Sequence, residues 1–271
     1  MAWRTNYNAD NRIFKDAKKI NIRCRVMTPM LGTTSANSNI YRDYIASKSP
    51  DASSIVDQLA DGDTTPDDIL ESRMTIFPTA KFLKTADAPP KYYDIQEGIP
   101  NRVTGEEVIL PYMSEHQWKG GFKEYFAMMA KTKGEKGPKL KASTIKAYKK
   151  IVDGNWFVFP RKIPLMIPDT YINEYGEEVS SFDSNGNLLK FERPLRANTP
   201  QGERVSLTVS EMVPPGTEFW FTVVLLNPDH EEILYEALDY KTEQGMLQWR
   251  NGGMGRLAWT KADENGEPID D

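Results

Sequence analysis

The sequence predicts an α+β protein, and three observations carry that expectation. Residues 20 to 26 alternate apolar and polar side chains, a stripe of large apolar residues at helical spacing begins near Glu115, and the last quarter reads strand, helix, glycine-rich loop, strand. The 271 residues are enough for one large domain with a sizeable core. At 39% hydrophobic and 27% charged, the composition is that of a globular chain, not a disordered or membrane one. No run approaches the roughly 20 apolar residues of a bilayer span. The polar start of the chain also lacks the apolar core of a signal peptide. The single cysteine, Cys24, excludes an internal disulfide framework and fits a reducing, cytoplasmic setting. One cysteine and two histidines make a zinc site an unpromising expectation, and no cofactor is expected.

The elements follow in chain order. Ile20, Ile22, Cys24 and Val26 share one face of a strand, with Asn21, Arg23 and Arg25 on the other. Residues 40 to 46 read as a short helix. Residues 51 to 71, with seven acids and no lysine, read as an acidic insertion, and residues 85 to 107 as a loop insertion punctuated by Pro and Gly. Trp118, Phe122, Tyr125, Phe126 and Met129 then mark the buried stripe of a helix. A second helix is expected over residues 143 to 152, and strands at 156 to 159 and 163 to 167. Residues 170 to 192 read as a β-hairpin insertion in which Asn185-Gly186 suggests a type I′ turn. Residues 204 to 209 alternate, Pro214-Pro215-Gly216 turns the chain, and residues 218 to 226, apolar on both faces, form a central strand. Asn227 can cap the next helix with Pro228 at its first position, and Ile233, Leu234, Ala237 and Leu238 form its buried stripe.

Net charge is −5, yet the charge is polarised. Residues 119 to 150 hold ten lysines and two glutamates; residues 1 to 28 hold seven basic side chains and two acids. Three groups of residues could use that charge. In the C-terminal loop, Gly252, Gly253 and Gly255 permit positive φ and close backbone approach, while Arg250 and Arg256 supply fixed charge. The loop is not a P-loop, since Gly-Lys-Ser/Thr is absent. Its glycines could equally serve helix-to-strand packing alone. In the second group, a loop from Leu110 enters a helix N-terminus, a setting that favours anions, with Lys119 and Lys123 one turn inside. There His116 is a weak candidate general acid or base. The third group is the arginine series Arg161, Arg193, Arg196 and Arg204 with Arg23 and Arg25, suited either to phosphates on an open sheet face or to salt bridges with surface carboxylates. Trp156, Phe157, Trp220 and Trp249 could stack on bases or fill the core.

Two of these segments together resemble a known family. Gln117-Trp118-Lys119-Gly120-Gly121-Phe122-Lys123 resembles the Ser-Leu-Lys-Gly segment of the RAMP superfamily, the repeat-associated proteins of CRISPR effector complexes. The run Arg204-Val205-Ser206-Leu207, then Ser210-Glu211-Met212-Val213-Pro214-Pro215-Gly216-Thr217-Glu218-Phe219, a strand, a helix and Asn251-Gly252-Gly253-Met254-Gly255-Arg256 is similar to that family's ending. The whole chain also resembles uncharacterised phage and prophage proteins, with Phe159-Pro160-Arg161-Lys162-Ile163 and Glu192-Arg193-Pro194-Leu195-Arg196-Ala197 as shared phrases.

The RAMP resemblance implies a single ferredoxin-like (RRM-like) domain, an antiparallel sheet with helices on one face, carrying the three insertions. It implies a binder of RNA or single-stranded DNA that assembles as a homo-oligomer or side-by-side filament in a bacterial cell, with no membrane partner. Contacts would come from Arg23, Arg25, Lys119, Gly120, Lys123, Arg161, Arg193, Arg196, Arg204, Arg250, Gly252, Gly253, Gly255 and Arg256. Residues 31 to 37 lack the aspartate that cleaving members of the family carry nearby, so binding without catalysis is the expectation. The alternatives are an endoribonuclease using His116 and Lys119, and a phage assembly protein or defence decoy that binds no nucleic acid.

Overall fold

The structure is a computed structural model that describes residues 16 to 35, 74 to 87, 90 to 95, 103 to 131, 147 to 199 and 202 to 269. The expected helix at 40 to 46, the acidic insertion at 51 to 71 and most of the lysine-rich stretch before residue 147 lie outside the described residues.

The architecture is mixed α+β. Its centre is a four-stranded sheet of β1 (Lys18–Val26), β2 (Trp156–Phe159), β3 (Glu218–Leu225) and β4 (Leu257–Ala262). The spatial order is β4-β1-β3-β2, with every neighbouring pair antiparallel. Among the described residues three helices accompany it: α1 (Glu115–Lys131), α2 (Tyr148–Asn155) and α3 (Glu231–Gln244). The chain thus runs β1, α1, α2, β2, β3, α3, β4. No described helix is long and apolar enough to cross a membrane.

Alternation in β1 decides which sheet face is covered. Ile20, Ile22, Cys24 and Val26 are buried, whereas Asn21 and Arg23 are half-buried and Arg25 is exposed. In β3, Phe219, Phe221, Val223 and Leu225 are buried on the same side, because Ile22 lies opposite Phe221 and Cys24 opposite Phe219. Trp118 and Phe122 of α1 pack into this face, with the Trp118 ring 4.4 Å from that of Phe221. The stripes expected on α1 and α3 are the ones buried: Trp118, Phe122, Tyr125 and Phe126, and Ile233, Leu234, Ala237 and Leu238. Burial pushes the Cys24 thiol pKa far up, so this cysteine acts as a small apolar side chain. As expected, Asn227 caps the start of the third helical segment; its side-chain oxygen accepts from the Asp229 N–H across a 3-10 turn that leads into α3.

A second sheet lies where the sequence predicts loop. Glu106–Ser114, expected to be loop, is a strand paired with Thr79–Lys84 and Lys162–Pro164, and Tyr92–Asp94 adds an outer strand. Thr79–Lys84 buries only Phe82, and Glu106–Ser114 only Met113, so neither carries the apolar alternation by which strands are recognised. The region expected as a loop insertion therefore supplies strands of this sheet.

A long ribbon pairs Lys190–Thr199 with Gly202–Val213, Lys190 opposite Glu211 and Thr199 opposite Gly202. It meets the rest of the fold through Met30–Leu31 and Met74–Ile76. Ahead of it, Thr170–Ile172 and Glu178–Ser180 form a short hairpin that turns at residues 173 to 177, and a separate Phe182–Leu188 bridge closes the Asn185-Gly186 turn, where a single hairpin over 170 to 192 was expected. The Asn185-Gly186 turn differs from expectation. Gly186 has φ +79°, but Asn185 is not left-handed, so the turn is not type I′. The Asp183 carboxylate accepts the N–H groups of Asn185 and Asn187 and sets the geometry instead.

Candidate nucleic-acid interface

Among the described residues, the loop between α3 and β4 holds the non-glycine residues with left-handed backbone. Gly245, Gly253 and Gly255 have φ of +83°, +83° and +73°, and so, more tellingly, do two residues with side chains lie in the left-handed region: Leu247 at +65° and Trp249 at +52°. Each such non-glycine residue costs on the order of 1–3 kcal/mol, a strain that surrounding contacts must hold in place. Those contacts come from the segment after β1. The Gly255 N–H donates to the Pro29 carbonyl at 2.8 Å, Thr28 Oγ1 donates to the Gly253 carbonyl at 2.8 Å, and the Met27 N–H donates to the Arg256 carbonyl at 2.8 Å. A Cβ at Gly255 would run into the Met246 carbonyl oxygen, so the close approach this glycine permits is to the loop's own backbone. Gly252 lies against the Trp249 indole, where a Cβ would come within 2.8 Å of the ring. Gly253 faces open space.

What the strained turn displays is Trp249, 40% exposed. The Arg193 guanidinium sits over its ring at 5.2 Å, and the Phe191 ring lies 5.3 Å away. Arg193 is fixed by Gln248, whose Oε1 accepts from Nη2 at 2.8 Å. The other side of that amide donates to the Gly32 carbonyl at 2.5 Å and to Thr75 Oγ1 at 3.1 Å. One glutamine thus ties the ribbon, the loop and the residues after β1 together. For Arg196 and Arg204 only the backbone is described: they lie farther along the ribbon, opposite Val205 and Ala197.

Arg250 turns inward. It pairs with Glu124 of α1, which also accepts from Lys241 Nζ at 2.7 Å and from Gln244 Nε2 at 2.9 Å. Lys241 is almost fully buried, with its side chain 1% exposed. Burial opposes ionisation of Glu124, but hydrogen bonds from Lys241 and Arg250 outweigh it and bring its pKa down to about 2. Because the folded pKa is lowered, the associated stability is present above the unfolded value of about 4.3 and is lost as pH falls through about 2. Acid titration of the wild type is therefore expected to show a steeper loss of stability in that window than a Glu124→Gln variant shows, read by urea midpoints at successive pH values.

Arg256 behaves differently. Its side chain is exposed and has no partner among the described residues. It stands at the rim of a cleft of about 530 Å³ between α3 and β4, lined also by Met27, Thr242, Glu243, Trp259 and Lys261.

On the open sheet face, Arg23 and Arg25 both grip Glu218 of β3, at 2.5 and 2.7 Å. Burial opposes ionisation of Glu218, and the two arginines overcome it, so its pKa is lowered. Lys119 lies over the Phe157 ring at 5.5 Å, and Lys123 pairs with Asp153 of α2 at 2.5 Å. Both stand near β2, at the opposite edge of the sheet from β4. Gly120 is exposed with open space around it, and Arg161 is exposed. The α1 N-terminus is entered from a strand, not from a loop. Its Glu115 N–H donates to the Arg161 carbonyl, and Gln117 Oε1 accepts from the Ser114 N–H. His116 is exposed in the first turn. His230 is buried and accepts a hydrogen bond from Trp156 Nε1 at 3.1 Å; burial lowers its pKa and keeps it neutral.

The structure therefore gathers Arg193, Arg250, Gly252, Gly253, Gly255 and Arg256 about one loop. It sets Arg23 and Arg25 on the sheet, and keeps Lys119 and Lys123 apart from both. Gln248, Glu124 and Glu218 were not among the residues singled out from sequence. A glutamine or glutamate beside arginines has no distinctive spacing, so nothing local marked them. Among the described residues no three His, Cys, Asp or Glu side chains converge to hold a metal ion.

No protein-family model matches the chain, and no curated protein does. Among solved structures, one similar chain belongs to a type III-B Cmr-beta complex bound to cognate target RNA, at 9% identity and a TM-score of 0.41. That alignment covers 90% of this chain but only 59% of the other. Another belongs to a type IV-B CRISPR complex, at 10% identity and a TM-score of 0.41, covering 91% of each chain.

Proposed function

We propose that this chain is a RAMP-like, ferredoxin-like subunit that binds RNA or single-stranded DNA without cleaving it, within a phage or CRISPR-type ribonucleoprotein in which copies assemble side by side. The strand order β4-β1-β3-β2, with helices on one face, supports the fold part of this reading. The observation that carries the functional part is Trp249. Two left-handed non-glycine residues and a glutamine anchor hold an indole partly in solvent beneath an arginine, with exposed Arg256 at the end of the same loop. An aromatic face beside fixed cations stacks a base and neutralises its phosphate in one site. Arg196, Arg204 and Arg161 would extend the phosphate track, and Gly253, with open space around it, would leave room for the strand.

A second reading, an interaction protein without nucleic acid, is favoured by the internal pairing of several basic groups. Arg23 and Arg25 are on Glu218, Lys123 on Asp153 and Arg250 on Glu124. Fluorescence anisotropy with short labelled RNA and DNA single strands separates the two. Under the binding reading, Trp249→Ala lowers affinity by about 1–3 kcal/mol, the usual loss of one stacked base. Binding by the parent that is unaffected by Trp249→Ala would remove the loop from the interface.

A further inference from the structure

The open face of the central sheet is already occupied by the chain itself. Residues 263 to 267 form a tight turn directly after β4. The Asp263 N–H donates to the Glu267 carbonyl at 2.8 Å, and the Asp263 carboxylate accepts the N–H groups of Asn265 and Glu267 at 2.7 and 2.9 Å. The chain then returns along β4, with the Ile269 N–H donating to the Lys261 carbonyl at 3.0 Å. The turn curls over the sheet. Gly266 lies on the Trp220 indole, where an added Cβ would sit 3.3 Å from the ring, and the Tyr92 ring is 6.2 Å from the same indole. The Gly266 carbonyl accepts from Arg23 Nη1 at 3.2 Å, and the Glu267 carboxylate lies 3.5 Å from that nitrogen. Asn21, the next residue along the same face of β1, donates to the Asp263 carbonyl at 3.1 Å.

These groups imitate a nucleotide. A flat backbone segment rests on an aromatic ring as a base would, and carbonyl and carboxylate oxygens take the donors that a phosphate would take. Residues 263 to 269 hold three acids and no base. The contacts are also weak ones: the Glu267 pair is long, with the carboxylate side chain 55% exposed.

We infer that the 263–267 turn is a built-in competitor for the sheet face, displaced when a single-stranded nucleic acid presents a base to Trp220 and a phosphate to Arg23. The inference rests on the nucleic-acid reading given above and adds the regulation of its sheet surface. Arg25 and Glu218 stay paired through the exchange, since Arg25 does not contact the turn.

Two variants release the turn by different means. Asp263→Ala/Glu267→Gln removes the carboxylate that holds the turn and the carboxylate that faces Arg23. Gly266→Val keeps the charge but places a β-branched residue at φ +87° against the Trp220 ring. Anisotropy with a labelled single-stranded RNA or DNA should show both binding about fivefold more tightly than the parent, the scale expected for removing one weak ion pair and one carbonyl hydrogen bond. Adding Trp220→Ala to either should cancel the gain. If the parent binds and neither variant binds more tightly, or only the charge-changing one does, the competitor role is overturned while the binding function stands. If neither the parent nor either variant binds, the binding function itself fails and takes the inference with it.

Discussion

Glu124→Ala is expected to destabilise the protein by about 3–5 kcal/mol, the range for stranding one member of a buried ion pair. Lys241 reaches Glu124 from α3 with its side chain almost wholly out of water, and its stem packs against Gly121, where a Cβ would be 2.9 Å from Cε. Without the carboxylate its ammonium keeps only Gln244 as a hydrogen-bond partner among those the structure shows. Burial already lowers the Lys241 pKa, and Glu124 is what opposes that shift. Adding Lys241→Met should recover most of the loss, because a thioether of similar length can fill the slot without a charge. Urea midpoints of the two variants test this; a double variant as unstable as Glu124→Ala would show that the ion pair is not the brace. Arg250 shares the same carboxylate, so the loss should extend to the loop that carries Trp249.

Gly255→Ala should cost about 3 kcal/mol. A left-handed alanine contributes about 1–2 kcal/mol, and the collision with the Met246 carbonyl adds the 1–3 kcal/mol typical of overpacking. Gly253→Ala is the control. It has the same sign of φ, yet nothing lies within 4 Å of the added carbon, so about 1–2 kcal/mol is expected. Equal urea midpoints for the two variants would contradict the packing role given to Gly255. This contrast also sharpens the function of the loop. Gly245 and Gly255 close it on itself, whereas Gly252 lies beside Trp249 and Gly253 faces outward.

Much of the fold was legible in the sequence wherever one face of an element is buried. The alternation in β1 and the stripes of α1 and α3 follow from that, while the cap at Asn227 is legible from the local Asn-Pro pair. The sheet containing Thr79–Lys84 and Glu106–Ser114 was not legible, because each of those strands buries a single side chain. The turn at Asp183 was misjudged because a carboxylate two residues upstream, not the Asn-Gly pair, sets its backbone. At the candidate site, the sequence pointed to the glycines and arginines of the loop. It could not show that Arg250 faces inward while Arg256 faces outward, since both belong to one glycine-rich loop and the inward turn of Arg250 depends on where Glu124 of α1 lies in the fold. Nor could spacing reveal that Glu218 bridges Arg23 and Arg25, because that contact depends on the register of β1 against β3. Left-handed Trp249 was the least predictable feature, as tryptophan is disfavoured there.

The central claim, that this surface binds a nucleic-acid backbone, is tested most directly by titrating affinity for a single-stranded oligonucleotide against salt. Counterion release predicts a linear fall of log K with log salt, with a slope of about −0.7 for each phosphate neutralised. Contacts from four to six of the named basic residues would give a slope of about −3 to −4, and Arg256→Ala should make it shallower by about 0.7. No measurable binding at low salt, or binding with no salt dependence, would contradict the account.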